Sequence, residues 1–213
     1  MYVPRFNQMP SGEVRRLAAE VGSLELITVD SDGVPHATRL PFVWDEDDRG
    51  GDGVVRAHMA WANPHWRSIA PGGAALAVVT GPEAYVSPGF YAAKREHGRV
   101  VPTWNYSAIH LRGTVSVVPD APWLRAQVEA LTDHVEAGEE HPWHVGDAPA
   151  AFVEQQLKAI VGIELAVTGV EAKAKRSQNR DDADHTGVVV GLEARGTGRD
   201  TAMAARMRLD RLP

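Results

Sequence analysis

The chain has 213 residues, 44% of them hydrophobic, no cysteine and a formal net charge of −6. Such a chain is globular and large enough for a proper core, and a disordered chain is excluded. The absence of cysteine excludes disulfides, thiolate-held zinc, iron–sulfur clusters and thiol catalysis, while the acidic balance disfavours direct DNA binding without ruling it out.

The N-terminus MYVPRFNQ lacks a signal-peptide pattern and no apolar run is long enough to span a membrane, so a cytoplasmic protein is expected. Ser11 caps a first predicted helix with Val14, Leu17 and Val21 on one face and Gly22 as its stop. Leu24–Val29 alternates as a strand, Asp30–Gly33 is a hairpin signal, and Val34–Trp44 returns. An acidic turn over Asp45–Gly53, read as a solvated tip without calcium-ligand spacing, leads to a strand at Val54–Met59. Asn63-Pro64 then opens a short helix, since Asn favours the cap and Pro the first helical position.

Ala74–Val79 reads as a buried strand and Ile109–Val118 as the next main one. Between them runs Thr80–Tyr106, a long connection carrying aromatics, bases and a Trp-Asn pair. That mixture suits a planar polar ligand; a loop capped by its own aromatics accounts for it equally. Asp120 caps a helix through Leu124, Val128, Leu131 and Val135. Asp147 is expected to cap another, through Phe152, Val153, Leu157, Ile160 and Val161, with Gly162 as its stop. A last strand at Ile163–Val170 precedes KAKRSQNR, and residues 193–213 read as a flexible tail behind a single domain of residues 1–192. Hairpins first, with helices interspersed and no βαβ alternation, give a mainly β, α+β fold: an antiparallel barrel with appended helices.

Three places suggest an anion. The Asn63 helix start, with His65 in its first turn, is a natural phosphate seat, although most capped helices bind nothing. Arg39 sits in an apolar strand run and needs either a phosphate or a carboxylate. Lys173–Arg180 gathers four cations and reads either as a phosphate cover or as a solvated turn. His141 and His144 lack a third metal ligand nearby, and no dinucleotide, P-loop or nucleophile-elbow motif is present. No side chain reads as an obligatory acid, base or nucleophile.

The blocks His58-Met59-Ala60, Ala62-Asn63-Pro64-His65-Trp66, Thr80-Gly81-Pro82, Tyr85-Val86-Ser87-Pro88, Lys94 to His97-Gly98, Val101-Pro102-Thr103-Trp104-Asn105-Tyr106 and Ser177-Gln178-Asn179-Arg180 resemble the PaiB family. That family is described as FMN-binding negative transcriptional regulators, associated in bacilli with control of protease synthesis and sporulation. The resemblance runs from Met1-Tyr2-Val3-Pro4 to about Leu192. It implies a split barrel like that of pyridoxamine phosphate oxidase and a homodimer holding FMN at the subunit interface. It further implies Arg39, beside Leu40, near the flavin phosphate, with His58, Met59, Asn63, His65, Trp66 and Thr80 as further contacts. Lys94, Trp104, Asn105 and Gln178 would serve the ring, with Lys175, Ser177 and Asn179 next to them. Two other readings stay open: an FMN-dependent oxidoreductase, and a haem-binding split barrel using His58 or His65.

Overall fold

The computed structural model describes residues 1–45 and 51–211. Residues 46–50 of the expected acidic turn therefore lie outside the described residues. Helix α1 (Ser11–Val21) leads into strands β1 (Ser23–Val29), β2 (Pro35–Asp45) and β3 (Val54–Ala60), then the short helix α2 (His65–Ser68) and β4 (Gly73–Val86). Next come α3 (Ala93–Glu96), β5 (Thr103–Val118), α4 (Ala121–Glu136), α5 (Ala150–Leu157), β6 (Ile160–Lys175), α6 (Asp182–Arg195) and α7 (Gly198–Leu209).

The strands close a barrel in the order β1-β2-β3-β6-β5-β4. Asp30 fixes the first hairpin: its Oδ1 accepts from the amides of Asp32 and Val34, each at 2.9 Å. This sets the antiparallel register that pairs Glu25 with Arg39 and Leu26 with Thr38. Strand alternation then sends Leu24, Leu26, Leu40, Phe42, Ala57 and Met59 into the interior.

The chain divides into two compact units. The barrel unit comprises Arg15–Val79 and His110–Val170; the terminal unit comprises Met1–Val14, Thr80–Ile109 and the chain from Glu171 onward. Strands β4, β5 and β6 each carry the chain from one unit to the other.

Several boundaries differ from expectation. Much of the anticipated central connection is strand: β4 runs on to Val86 and β5 begins at Thr103. Asp120 caps α4 as expected, its Oδ2 accepting from the Trp123 amide at 2.9 Å. Asp147, by contrast, closes a short turn with His144, and α5 follows Pro149. Ile160, Val161 and Gly162, expected at the end of that helix, are the first residues of β6, where Met59 pairs with Val161.

The largest correction concerns the C-terminus. Where residues 193–213 were expected to form a flexible tail, α6 continues to Arg195 and α7 spans Gly198–Leu209, with Met203 and Met207 fully buried against Ala84, Val86, Tyr91 and Leu192. Asp181 caps α6 at the Asp184 amide (2.8 Å), and Thr197 and Asp200 form a capping box on α7. The glycines of α6 weaken its helical signature in sequence, yet they are needed for close approach. A Cβ on Gly187 would lie 2.2 Å from the Phe90 carbonyl oxygen, and one on Gly191 would lie 2.3 Å from the Phe90 ring.

Candidate functional site

Within the terminal unit, the two-residue period of β5 and β6 puts Thr103 and Asn105 on one wall with Lys173 and Lys175. Lys175 joins the strands, donating through Nζ to Thr103 Oγ1 and, at 2.6 Å, to the Trp104 carbonyl. The N-terminal segment is bridged to β6 at Gln8–Lys173 and brings Tyr2 and Phe6 to the same hollow. Tyr91, Ser177, Asn179 and Arg180 complete a cavity of about 330 Å³, within the usual range for small-molecule sites of roughly 300–1,000 Å³.

The turn after β6 is held by side-chain hydrogen bonds. Gln178 Oε1 accepts from the Arg176 amide at 2.7 Å, and its Nε2 donates to the Ala174 carbonyl at 2.5 Å. Arg176 is buried and clamps Asp210 through Nε (2.8 Å) and Nη2 (2.5 Å), while Nη1 reaches Glu13 at 2.7 Å. Held this way, Ser177 adopts φ 64°, a left-handed backbone rare for a residue with a side chain. Its hydroxyl meets buried Asn105, whose Nδ2 donates to Ser177 Oγ at 3.0 Å.

Aromatic faces and cations alternate around the hollow. Lys173 Nζ lies 5.4 Å from the Tyr106 ring and 5.8 Å from that of Tyr2, and the Arg180 guanidinium lies 4.7 Å above Tyr91. The Tyr91 hydroxyl is buried without a hydrogen-bond partner, although Ser177 and Arg180 are near enough to influence its acidity. Burial raises its pKa. Burial is also the main cause that lowers the Lys175 pKa, followed by repulsion from Lys173 and Arg180.

A second cluster lies in the barrel unit. His65 is buried between two threonines, Nε2 at 2.8 Å from Thr28 Oγ1 and Nδ1 at 2.7 Å from Thr38 Oγ1. A neutral imidazole donates at one nitrogen and accepts at the other, and hydroxyls serve both roles. His36 stacks on it at 5.6 Å and is itself held by Asp30 at 2.8 Å. Asn63 Oδ1 accepts from the His65 amide at 3.0 Å, so the expected helix start is a local turn leading into four helical residues.

Burial, then the charge of His36, lowers the His65 pKa. Protonation thus favours the unfolded chain, and stability is expected to fall as pH drops below about 6.5. His185, depressed chiefly by burial, adds to the same slope. Urea midpoints at pH 7.5 and 5.5 test this: His65→Asn should flatten the difference, and an unchanged slope would refute His65 as its source.

The remaining candidates separate. Asn105, Lys175, Ser177 and Asn179 meet in the terminal-unit cavity. Trp104, one residue from Asn105, is exposed and donates through Nε1 to Glu83 at 3.2 Å. Thr80 and Lys94 are exposed, and Gln178 is spent on its own turn. In the barrel unit Leu40 and Met59 are buried in the core, His58 Nδ1 donates to Gln127 at 2.7 Å, and the Trp66 ring packs at a tilt against Trp61 with centroids 4.6 Å apart. Arg39 is exposed and bonded to Ser23 at 3.0 Å and Glu25 at 3.4 Å.

Tyr2, Phe6 and Tyr91 were not among the expected site residues. Their signal was present: Tyr2 lies within the Met1–Pro4 block, Phe6 stands two residues after it, and Tyr91 follows the Tyr85–Pro88 block. A larger cavity of about 600 Å³ in the barrel unit is walled chiefly by Trp61, Leu124, Leu157 and Ile160 and contains none of the expected residues. Among the described residues no helix is long and apolar enough to cross a membrane.

A family model described as "Putative FMN-binding domain" matches residues 1–169. The chain is similar to the "Protease synthase and sporulation protein PAI 2" of Bacillus subtilis, 29% identical over 193 residues, 91% of this chain and 89% of that protein. A protein of Emericella nidulans is 32% identical over 202 residues, 81% of this chain and 80% of that one. Among solved structures, the FAD and heme binding protein from Mycobacterium smegmatis aligns with a TM-score of 0.58 at 20% identity, covering 88% of this chain and 80% of that one. The flavocytochrome Anf3 from Azotobacter vinelandii aligns at 0.58 and 16% identity, covering 87% and 78%. The split-barrel fold expected from the sequence is the fold these likenesses show.

Proposed function

The chain belongs to this family of FMN-binding domains, and on that premise we propose that it binds FMN in the cavity of its terminal unit. One observation carries the reading. Three blocks far apart in sequence, at Tyr2, at Val101–Asn105 and at Ser177–Arg180, converge on a single hollow. The residues there suit a flavin nucleotide: rings of Tyr2, Phe6 and Tyr91 to lie against, amide and hydroxyl groups of Asn105 and Ser177, and cations for an anionic end. A flavin bound there supplies one- and two-electron redox chemistry, while these residues orient it and exclude water.

The protein is then a cytoplasmic flavoprotein homodimer related in role to PAI 2, influencing gene expression through its flavin. Its net charge of −6 favours action through flavin over gripping DNA, and keeps an FMN-dependent oxidoreductase as the second reading. A haem on His65 is disfavoured, because iron would have to displace a threonine hydroxyl from one of its two occupied nitrogens. Equilibrium dialysis with FMN, visible spectroscopy and size-exclusion chromatography test the proposal. The expected result is a dimer with a two-banded flavin spectrum; a sharp Soret band, or no affinity for FMN, would overturn it.

A further inference from the structure

Lys173, Lys175 and Arg180 meet on one cavity wall, and among the described residues a single long ion pair, Arg180 to Asp184, offsets their three charges. Lys175 is bonded to a hydroxyl and a carbonyl, and Lys173 lies over aromatic faces. The nearest carboxylate to Arg180 is that of Asp184 at 3.9 Å, beyond hydrogen-bonding distance. Asp184 is moreover engaged elsewhere, its Oδ1 accepting from the Ala93 amide at 2.9 Å.

The neighbouring Arg176 shows the contrast, with two carboxylates on its guanidinium. Among the described residues, none of the three cavity cations has a carboxylate at hydrogen-bonding distance. Partly withdrawing three like charges from water with one distant carboxylate between them is unfavourable, and a complementary anion reduces that cost. The Lys175 pKa is lowered chiefly by burial and secondarily by repulsion from Lys173 and Arg180.

We infer that this wall is a seat for a phosphate-type oxyanion, held by Lys173, Lys175 and Arg180 with Ser177 and Asn179 beside them. The inference deepens the flavin proposal and rests on it only for the ring-bearing part of the ligand. The oxyanion belongs either to the FMN itself or to a second phosphorylated ligand. In either case the seat lies in the terminal unit and is distinct from Arg39 and Asn63.

Calorimetric titration of the full chain with inorganic phosphate, FMN and riboflavin separates the cases. Phosphate should bind, more weakly at high salt. If the flavin's own phosphate fills the seat, FMN should bind at least about tenfold more tightly than riboflavin, as expected for charge-assisted bonds. If a second ligand fills it, FMN and riboflavin should bind alike and phosphate should still bind the flavin-loaded protein. Lys173→Gln and Lys175→Gln should each weaken phosphate about tenfold; the Lys173 ammonium lies against aromatic rings, so a nearly unchanged melting temperature is expected there. Phosphate binding without flavin binding would retain the seat and reject the flavin proposal. No phosphate binding together with equal FMN and riboflavin affinity would reject the seat alone, as would Lys173→Gln and Arg180→Gln variants with undiminished phosphate affinity.

Discussion

Arg176→Met is expected to lower the stability of the protein by about 3–5 kcal/mol, the usual cost of removing one partner from a buried ion cluster. The Arg176 side chain is 3% exposed and faces Glu13 and Asp210 at 15% and 13%. Without the guanidinium, both carboxylates stay largely out of water and lose the cation bonded to them. Asp210 is already held above its ordinary pKa by burial, a penalty that Arg176 opposes. The cluster ties α1 to the turn after β6 and to the end of α7, so its loss should loosen the terminal unit and the cavity together. Urea unfolding checks the size of the effect. Adding Glu13→Leu and Asp210→Leu should recover much of the loss, because the uncompensated charges are then gone. A single variant as stable as the parent would show that the cluster contributes nothing.

Gly113→Ala should cost about 3 kcal/mol, at the upper end of the range for overpacking. Gly113 lies in β5 where it passes β6, and a Cβ there would stand 2.0 Å from the Ala166 carbonyl oxygen and 2.8 Å from its carbon. Both are backbone atoms of a neighbouring strand, so relief requires the two strands of a closed barrel to separate. Thermal unfolding measures this, and an unchanged melting temperature would mean that the strands part easily.

The barrel was readable wherever partners lie close in sequence. Asp30–Gly33 specified a hairpin because Asp30 satisfies amides two and four residues on, and Asp120 specified a helix start for the same local reason. The long run of β6 and the packing of α7 were less readable, since both depend on distant neighbours. The α6 glycines look like helix breakers until the Phe90 turn lies against them.

The candidate site divides on the same principle. Asn105 and Trp104 are adjacent and equally suggestive by residue type, yet strand alternation allows only one to face the cavity. His65 looked like a ligand because Thr28 and Thr38, which occupy both of its nitrogens, lie 37 and 27 residues away. Among the cations of KAKRSQNR, types alone do not distinguish Arg176, saturated by carboxylates, from Lys173 and Lys175, which are not.

Val101 stands at the cavity and is 65% exposed, so a bulky ring there can fill the hollow without disturbing the core. Equilibrium dialysis of FMN against the parent and Val101→Trp therefore reads out whether the terminal-unit cavity is the flavin site. The expected result is an FMN affinity reduced at least about tenfold at an unchanged melting temperature, as for other losses of roughly 1.4 kcal/mol or more. FMN bound equally well by both proteins would put the flavin elsewhere and contradict the assignment.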